Sequence, residues 1–352
     1  MRLVRIRYLA TVSGVAFAIG IVLSSATAFA EICGIDSIFA DGYEVAGFVP
    51  IAQIAGGSQS PGLIPNIIGS GTLSVTVTSP GTGATTREST VDVLGTFVGP
   101  VNTGIAVNNA SGYVVNGHFL VPNVGLASGA NSLAVQATTL PAATASTSAA
   151  ITQSGSAPLL AITASRVFGY APIPIAFSYA LGTLPGAATV QSVAIDFNGD
   201  GTDEYTGSSF TGAPTSFTYM QPGIYTVRVR VTDTSSATYT AYRSVAVQDV
   251  AVQRGMMCDI YGYVKDRLNA QDATGAGNAY QPVVRSDFTT FFTQLGTNMP
   301  ATAQQLGTIL DGQLGTGFAD LLLVRDNPDQ TRSGFPMRLT QGSDGVWRIS
   351  EM

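Results

Sequence analysis

Tyr225, Val227, Val229 and Val231 alternate with Thr226, Arg228, Arg230 and Thr232. A two-residue period puts one set on a core face and the other in solvent, which is the mark of a half-buried β-strand. Ile173, Ile175, Phe177 and Tyr179 repeat the pattern, as do Leu73, Val75 and Val77 and then Leu133, Val135 and Ala137. Short alternating runs separated by Gly, Pro and Asn clusters predict a β-sandwich for residues 71–155 and strands with one core face in residues 156–250. Charge limits the chemistry. Lys, Arg, Asp and Glu make up only 11% of the 352 residues, and the net charge is −6. Residues 93–165 hold no Asp, Glu, Lys or Arg, and the histidine there is His118. General acid–base catalysis needs positioned titratable groups, so this stretch predicts a structural module, with His118 a strand-end surface residue. The negative balance argues against nucleic acid, whose binding rests on cations that neutralise phosphates.

Arg2, Arg5 and Arg7 precede an uncharged apolar run over residues 9–23, and Ala28-Phe29-Ala30 follows. Positive start, apolar middle and A-x-A end predict a signal peptide over residues 1–30, cleaved after Ala30. About 15 apolar residues are short for a span of about 20. The expectation is therefore a chain without a stable transmembrane anchor after cleavage: secreted, periplasmic or on the outer cell surface. Removing the three arginines takes the net charge from −6 to −9. Cys33 and Cys258 then enter an oxidising compartment, where a bridge between them and two separate thiols are both open readings. Residues 31–70 read as tail and linker, with an edge strand possible in the Gly/Pro/Ser-rich part. Within the tail, residues 33–44 (CGIDSIFADGYE) resemble the IFADGFE tag of Gram-negative exported proteins.

In residues 71–155 the TSP start at Thr78, the V-x-V-x-G run from Val91 and the L-x-x-G-x-N-x-L-x-V-x-A ending from Leu126 resemble a bacterial immunoglobulin-like repeat of the glucodextranase B-domain type. In residues 156–250 the turn Asp196-Phe-Asn198-Gly-Asp200-Gly201 resembles the PKD (polycystic kidney disease) domain. So does Phe217-Thr-Tyr219-Met-Gln-Pro222-Gly223-Ile-Tyr225-Thr-Val227-Arg-Val229-Arg-Val231-Thr-Asp233. Phe217 stands where that family usually has His. The resemblance implies a seven-stranded immunoglobulin-like sandwich of a secreted or cell-surface protein.

The same turn has metal-ligand spacing. Asp196, Asn198 and Asp200 hold positions 1, 3 and 5 of a D-x-N-x-D-G loop; Thr202 offers a carbonyl at 7 and Glu204 sits at 9. Alternate oxygens converge as such a loop curls, and Gly201 permits the bend. Position 12 is Gly207 rather than a bidentate Glu. Two readings stand: the acids bond backbone N–H groups and form the turn, or Ca²⁺ orders the loop with an affinity of roughly 10⁻⁴ to 10⁻³ M.

Residues 251–352 change period. Met257, Ile260, Tyr261, Val264 and Leu268 lie on one helical face. Phe288, Phe291, Phe292 and Leu295 predict a second helix, capped by Ser286 or Asp287. Pro300, Leu306, Ile309 and Leu310 predict a third. Strands over 318–324, 335–339 and 346–349 follow. Helices before an antiparallel meander predict an α+β domain, whose order is similar to small cone-shaped domains of the nuclear-transport-factor-like or cystatin-like kind. Its polar candidates for a pocket are Asp259, Asp266, Arg267, Asp287, Arg325, Arg338 and Arg348, with no His among them. Trp347 and Ile349 are expected in the core. Tyr261 and Tyr263 point to different sides of a helix, so one of them is expected at the surface.

The fold class expected is thus multidomain and mainly β: two immunoglobulin-like sandwiches and a C-terminal α+β domain. The function expected is that of a non-catalytic exported protein presenting a surface to an envelope or extracellular protein or glycan, with Ca²⁺ stiffening the turn. The alternative is an accessory subunit of a secreted hydrolase with a ligand pocket in residues 251–352.

Overall fold

The computed structural model describes residues 49–50, 72–155 and 157–352. Residues 1–30, where a signal peptide is expected, the stretch 33–44 and Cys33 lie outside the described residues. The chain is mainly β. A two-residue strand, β1 (Val49–Pro50), comes first. Ten strands come next: β2 (Ser74–Ser79), β3 (Ala84–Thr86), β4 (Thr90–Val98), β5 (Gly104–Val107), β6 (Ala110–Ser111), β7 (Tyr113–Val115), β8 (His118–Gly125), β9 (Gly129–Thr138), β10 (Thr144–Gln153) and β11 (Leu160–Ala164). The next seven are β12 (Phe168–Tyr170), β13 (Ile173–Leu181), β14 (Val190–Asp196), β15 (Tyr205–Gly207), β16 (Ser216–Tyr219), β17 (Gly223–Asp233) and β18 (Thr238–Gln248).

Two immunoglobulin-like sandwiches arise from one repeated plan. In the first, the sheet β2-β4-β8-β7 faces β3-β10-β9-β5-β6; in the second, β11-β13-β16 faces β12-β18-β17-β14-β15. In both, the opening segment starts at the edge of one sheet and then crosses to the other, where β3 or β12 pairs parallel to the last strand. The alternation seen in sequence decides what is inside. Val227, Val229 and Val231 are fully buried, as are Val93, Ile105, Phe119 and Leu133. Asn116 and Gly117, both with positive φ, make the two-residue turn between β7 and β8, as an Asn-Gly pair favours. His118 is exposed at the start of β8. The Tyr225 hydroxyl donates to the Gln221 carbonyl at 2.8 Å, the tyrosine corner of immunoglobulin-like folds.

Residues 250–352 form helices and a final sheet. The helices are α1 (Val250–Asn269), α2 (Ala273–Gly277), α3 (Pro282–Leu295) and α4 (Met299–Gln305); the strands are β19 (Thr308–Gly315), β20 (Phe318–Asp326), β21 (Arg332–Gln341) and β22 (Trp347–Glu351). Asp249 caps α1 by accepting from the N–H groups of Ala251 and Val252. Three expectations are corrected. The third helix stops at Gln305, because Gly307 takes φ 51° and turns the chain; Ile309 and Leu310 lie in β19. The helix α3 begins at Pro282, suited to a first helical position, so Ser286 and Asp287 are interior rather than caps. Tyr261 and Tyr263 are both buried. The Tyr261 hydroxyl reaches the Leu306 and Gly307 carbonyls, while the Arg267 guanidinium lies over the Tyr263 ring at 4.9 Å. Val49 and Pro50 pair antiparallel with Leu314 and Gln313 of β19, so the linker does supply an edge strand, and it serves the last sheet.

The three parts touch through specific contacts. Asn102 is 1% exposed; its amide donates to the Trp347 carbonyl at 2.9 Å, and the Trp347 N–H returns a bond to Asn102 Oδ1 at 2.9 Å. A Cβ on Gly104 would lie 2.2 Å from the Val346 nitrogen, so glycine is required where β5 meets the β21–β22 turn. Asp92 accepts from the Ser244 N–H at 2.9 Å and pairs with Arg243 at 3.2 Å. Tyr113 stacks on Phe168. Leu140, Phe168 and Tyr170 join one buried cluster with Met257, Ile260 and Trp347, so all three parts contribute to a shared core.

Candidate functional site

The loop 197–204 joins β14 to β15, which pair from Ile195 and Tyr205. At its root Asp196 is 1% exposed. Asp196 Oδ1 accepts from the Gly199 N–H at 2.6 Å and Oδ2 from the Gly201 N–H at 3.0 Å. Gly199 and Gly201 take φ of 77° and 94°, which aims their N–H groups inward at little steric cost. Asn198 Oδ1 accepts from the Asp200 N–H, and Asp200 Oδ1 from the Thr202 N–H, each at 2.7 Å. The Thr202 bond and the Asn198 amide hold the Asp200 carboxyl below its usual range. Glu204 reaches back to the Phe197 N–H at 2.6 Å and to the Asn198 amide at 2.5 Å.

Oxygens of Asp196, Asp200 and Glu204 lie within 4.8 Å of one another. Three hard carboxylate donors on one short loop suit a divalent cation such as Ca²⁺. Two observations oppose simple occupancy. The Asn198 amide nitrogen, 3.2 Å from Asp200 Oδ2 and 2.5 Å from Glu204, fills the space between those carboxylates. The Arg228 guanidinium stands 3.3 Å from Asp196. A cation would need Asn198 to turn its amide over and face the acids with oxygen. Thr202 enters the loop as a donor through its N–H. Asp203, which the ligand spacing does not include, pairs with Arg228 at 3.1 Å and Arg230 at 3.0 Å and pins the loop to β17.

The polar candidates of the last hundred residues do not converge on one site, and Arg348 among them is buried. Arg338 grips Asp320, Arg348 grips Asp344, and Arg267 faces Asp272. Arg325 bonds Asn327 through Nε. Burial pushes the Asp259 carboxyl up to about 6. Cys258 is disulfide-bonded, and Cys33 is the other cysteine in the sequence. No helix among the described residues is long and apolar enough to cross a membrane.

No protein-family model matches the chain, and none of the curated proteins matches it. Solved structures do. The fibronectin(III)-like modules of CbhA from Clostridium thermocellum align over 50% of this chain and 95% of theirs, at 14% identity and a TM-score of 0.20. The PKD domain of human SorCS2 aligns over 26% of this chain and 71% of its own, at 25% identity and a TM-score of 0.21. SGBP-B from a mixed-linkage glucan utilization locus of Bacteroides ovatus, solved with a mixed-linkage heptasaccharide, aligns over 49% of this chain and 44% of its own, at 10% identity and a TM-score of 0.18. Strand order and register make the two sandwiches immunoglobulin-like.

Proposed function

We propose that this is a non-catalytic exported protein that presents a fixed surface to an extracellular or envelope partner, protein or glycan. The observation that carries the reading is the set of cross-module bonds, above all the reciprocal pair between Asn102 and Trp347. Buried bonds and a shared core fix the angles between sandwiches that flexible linkers would leave free. The grouped carboxylates among the described residues also support it, since Asp196, Asp200 and Glu204 spend their oxygens on their own loop. Ca²⁺ belongs to this proposal as a stiffener of the 196–204 loop, conditional on the turn of Asn198. The test is retention of the labelled mature protein on intact bacterial cells, measured beside hydrolysis of glycan and peptide substrates. Retention without turnover is expected. Turnover abolished by one carboxylate substitution in residues 251–352 would overturn the reading.

A further inference from the structure

The two sandwiches meet along β7 and β8 of the first and β17 and β18 of the second, where Leu120 packs on Ala246 and the Gln248 amide donates to the Val114 carbonyl. There Asp92 clasps Arg243 and Ser244. Beyond that clasp they diverge around a cleft of about 1090 Å³, walled by β2, β3 and β4 on one side and by β11 and β18 on the other. We propose that this cleft is a groove for a neutral oligosaccharide, an inference that rests on the binding function proposed above and names its ligand class.

Four observations point to this chemistry. The first is Tyr242, whose side chain lines the cleft from β18 and is 63% exposed. An aromatic ring of this kind offers an apolar face and a polar tip. A pyranose ring has the matching form, with C–H groups on its faces and hydroxyls on its edge. The second is the lining beside the ring. Thr78 and Thr90 from one wall and Thr240 from the other are exposed hydroxyls, able to donate and accept as sugar hydroxyls do. The third is charge. Asp92 and Arg243 neutralise each other, and the exposed Arg87 and Glu88 at the rim add one charge of each sign. A balanced lining gives no field to draw an anionic or cationic polymer. The fourth is where apolar surface lies. The other large apolar side chains exposed among the described residues are Val98, Met220, Val252, Val283, Phe291 and Leu322. None of them lines the cleft. The apolar residues that do line it, among them Val91, Leu94 and Leu159, are half-buried and sit between the hydroxyls. The volume of about 1090 Å³ exceeds the range of about 300–1,000 Å³ for small-ligand sites, which suits a linear oligomer better than one sugar.

The experiment uses the mature full chain and isothermal titration with neutral hexaoses: cellohexaose, laminarihexaose, mannohexaose, maltohexaose and xylohexaose. An anionic oligogalacturonate serves as a charge control. At least one neutral hexaose is expected to bind. Tyr242→Ala should weaken it by about tenfold, equivalent to about 1.4 kcal/mol, while Tyr242→Phe keeps the ring and most of the affinity. Thr90→Trp, which fills the cleft from the opposite wall, should abolish binding. Three results overturn the inference: no neutral hexaose binds at about 5 mM, a concentration that detects even weak sites; Tyr242→Ala and Thr90→Trp bind as wild type does; or the anionic control binds best. If the hexaoses fail while retention on cells persists, the groove is refuted and the binding function stands.

Discussion

Replacing Asn102 with Ala removes both halves of the buried clasp on Trp347. The side chain is 1% exposed, and each of its two bonds measures 2.9 Å. The variant leaves the Trp347 N–H and C=O facing a truncated methyl. Each buried group without a partner costs about 1–3 kcal/mol. With partial relief from water entering the gap, the expected loss is about 3 kcal/mol. The chain has one tryptophan, and it sits at this joint, so its fluorescence reports on the clasp. Urea unfolding followed by tryptophan emission and by far-ultraviolet circular dichroism should coincide in the wild type. In Asn102→Ala the emission should red-shift at lower urea, before the sandwiches unfold. Asn102→Asp sharpens the test. Its carboxylate still accepts from the Trp347 N–H but faces the Trp347 carbonyl with oxygen. Burial raises that carboxyl, so the folded state holds its proton more tightly than the unfolded state does. Stability should therefore recover as the pH falls, once a protonated oxygen can donate to the carbonyl. If Asn102→Ala moves the emission midpoint by less than about 0.5 kcal/mol and the two probes still coincide, the joint is held by something else.

Asp92→Ala should free the Ser244 N–H and leave Arg243 held by the Asn123 side chain; hydrogen exchange at Ser244 should quicken, and unchanged exchange would show the clasp to be incidental. Asp259 has a raised carboxyl near 6 because of burial. Its folded state therefore binds a proton more tightly than the unfolded chain, and the penalty grows as the pH climbs from about 4 to about 6. Asp259→Asn should raise Tm at pH 7.5, by an amount worth about 1 kcal/mol after solvent screening, and should leave it unchanged at pH 3.5; an equal shift at both would refute the cause. Calcium should raise Tm in the wild type and leave Asp200→Ala unmoved, and an equal rise in both would place the ion elsewhere than the 196–204 loop.

The sandwiches were legible because strand burial repeats every second residue. Val227, Val229 and Val231 face inward as their spacing requires, and Asn116-Gly117 turns where that pair favours a turn. The loop at Asp196 was legible as a tight turn for the same local reason. The errors came where non-local packing or one glycine outweighed periodicity. Ile309 and Leu310 continue a helical spacing, but the positive φ of Gly307 ends the helix before them. Tyr263 is on the far side of α1 from Tyr261, but the Arg267 side chain covers it. The joints and the cleft left no local trace: Asp92 meets Arg243, and Asn102 meets Trp347, across long stretches of chain whose pairing no short motif encodes. The role of Asp203 has no local signal, because its partners, Arg228 and Arg230, lie on another strand.

The pairing of β1 with β19 has a consequence for how the chain is made and cut. Residues 49 and 50 leave the ribosome long before Thr308, so their seat does not exist when they appear. The last strand assembly therefore fastens the first, as a buckle closes a belt. A protease that nicks the segment between the two sandwiches would leave its two fragments still laced together, by β1 on β19 and by Asn102 on Trp347. On a native gel the nicked protein should run as one species and should part only in denaturant.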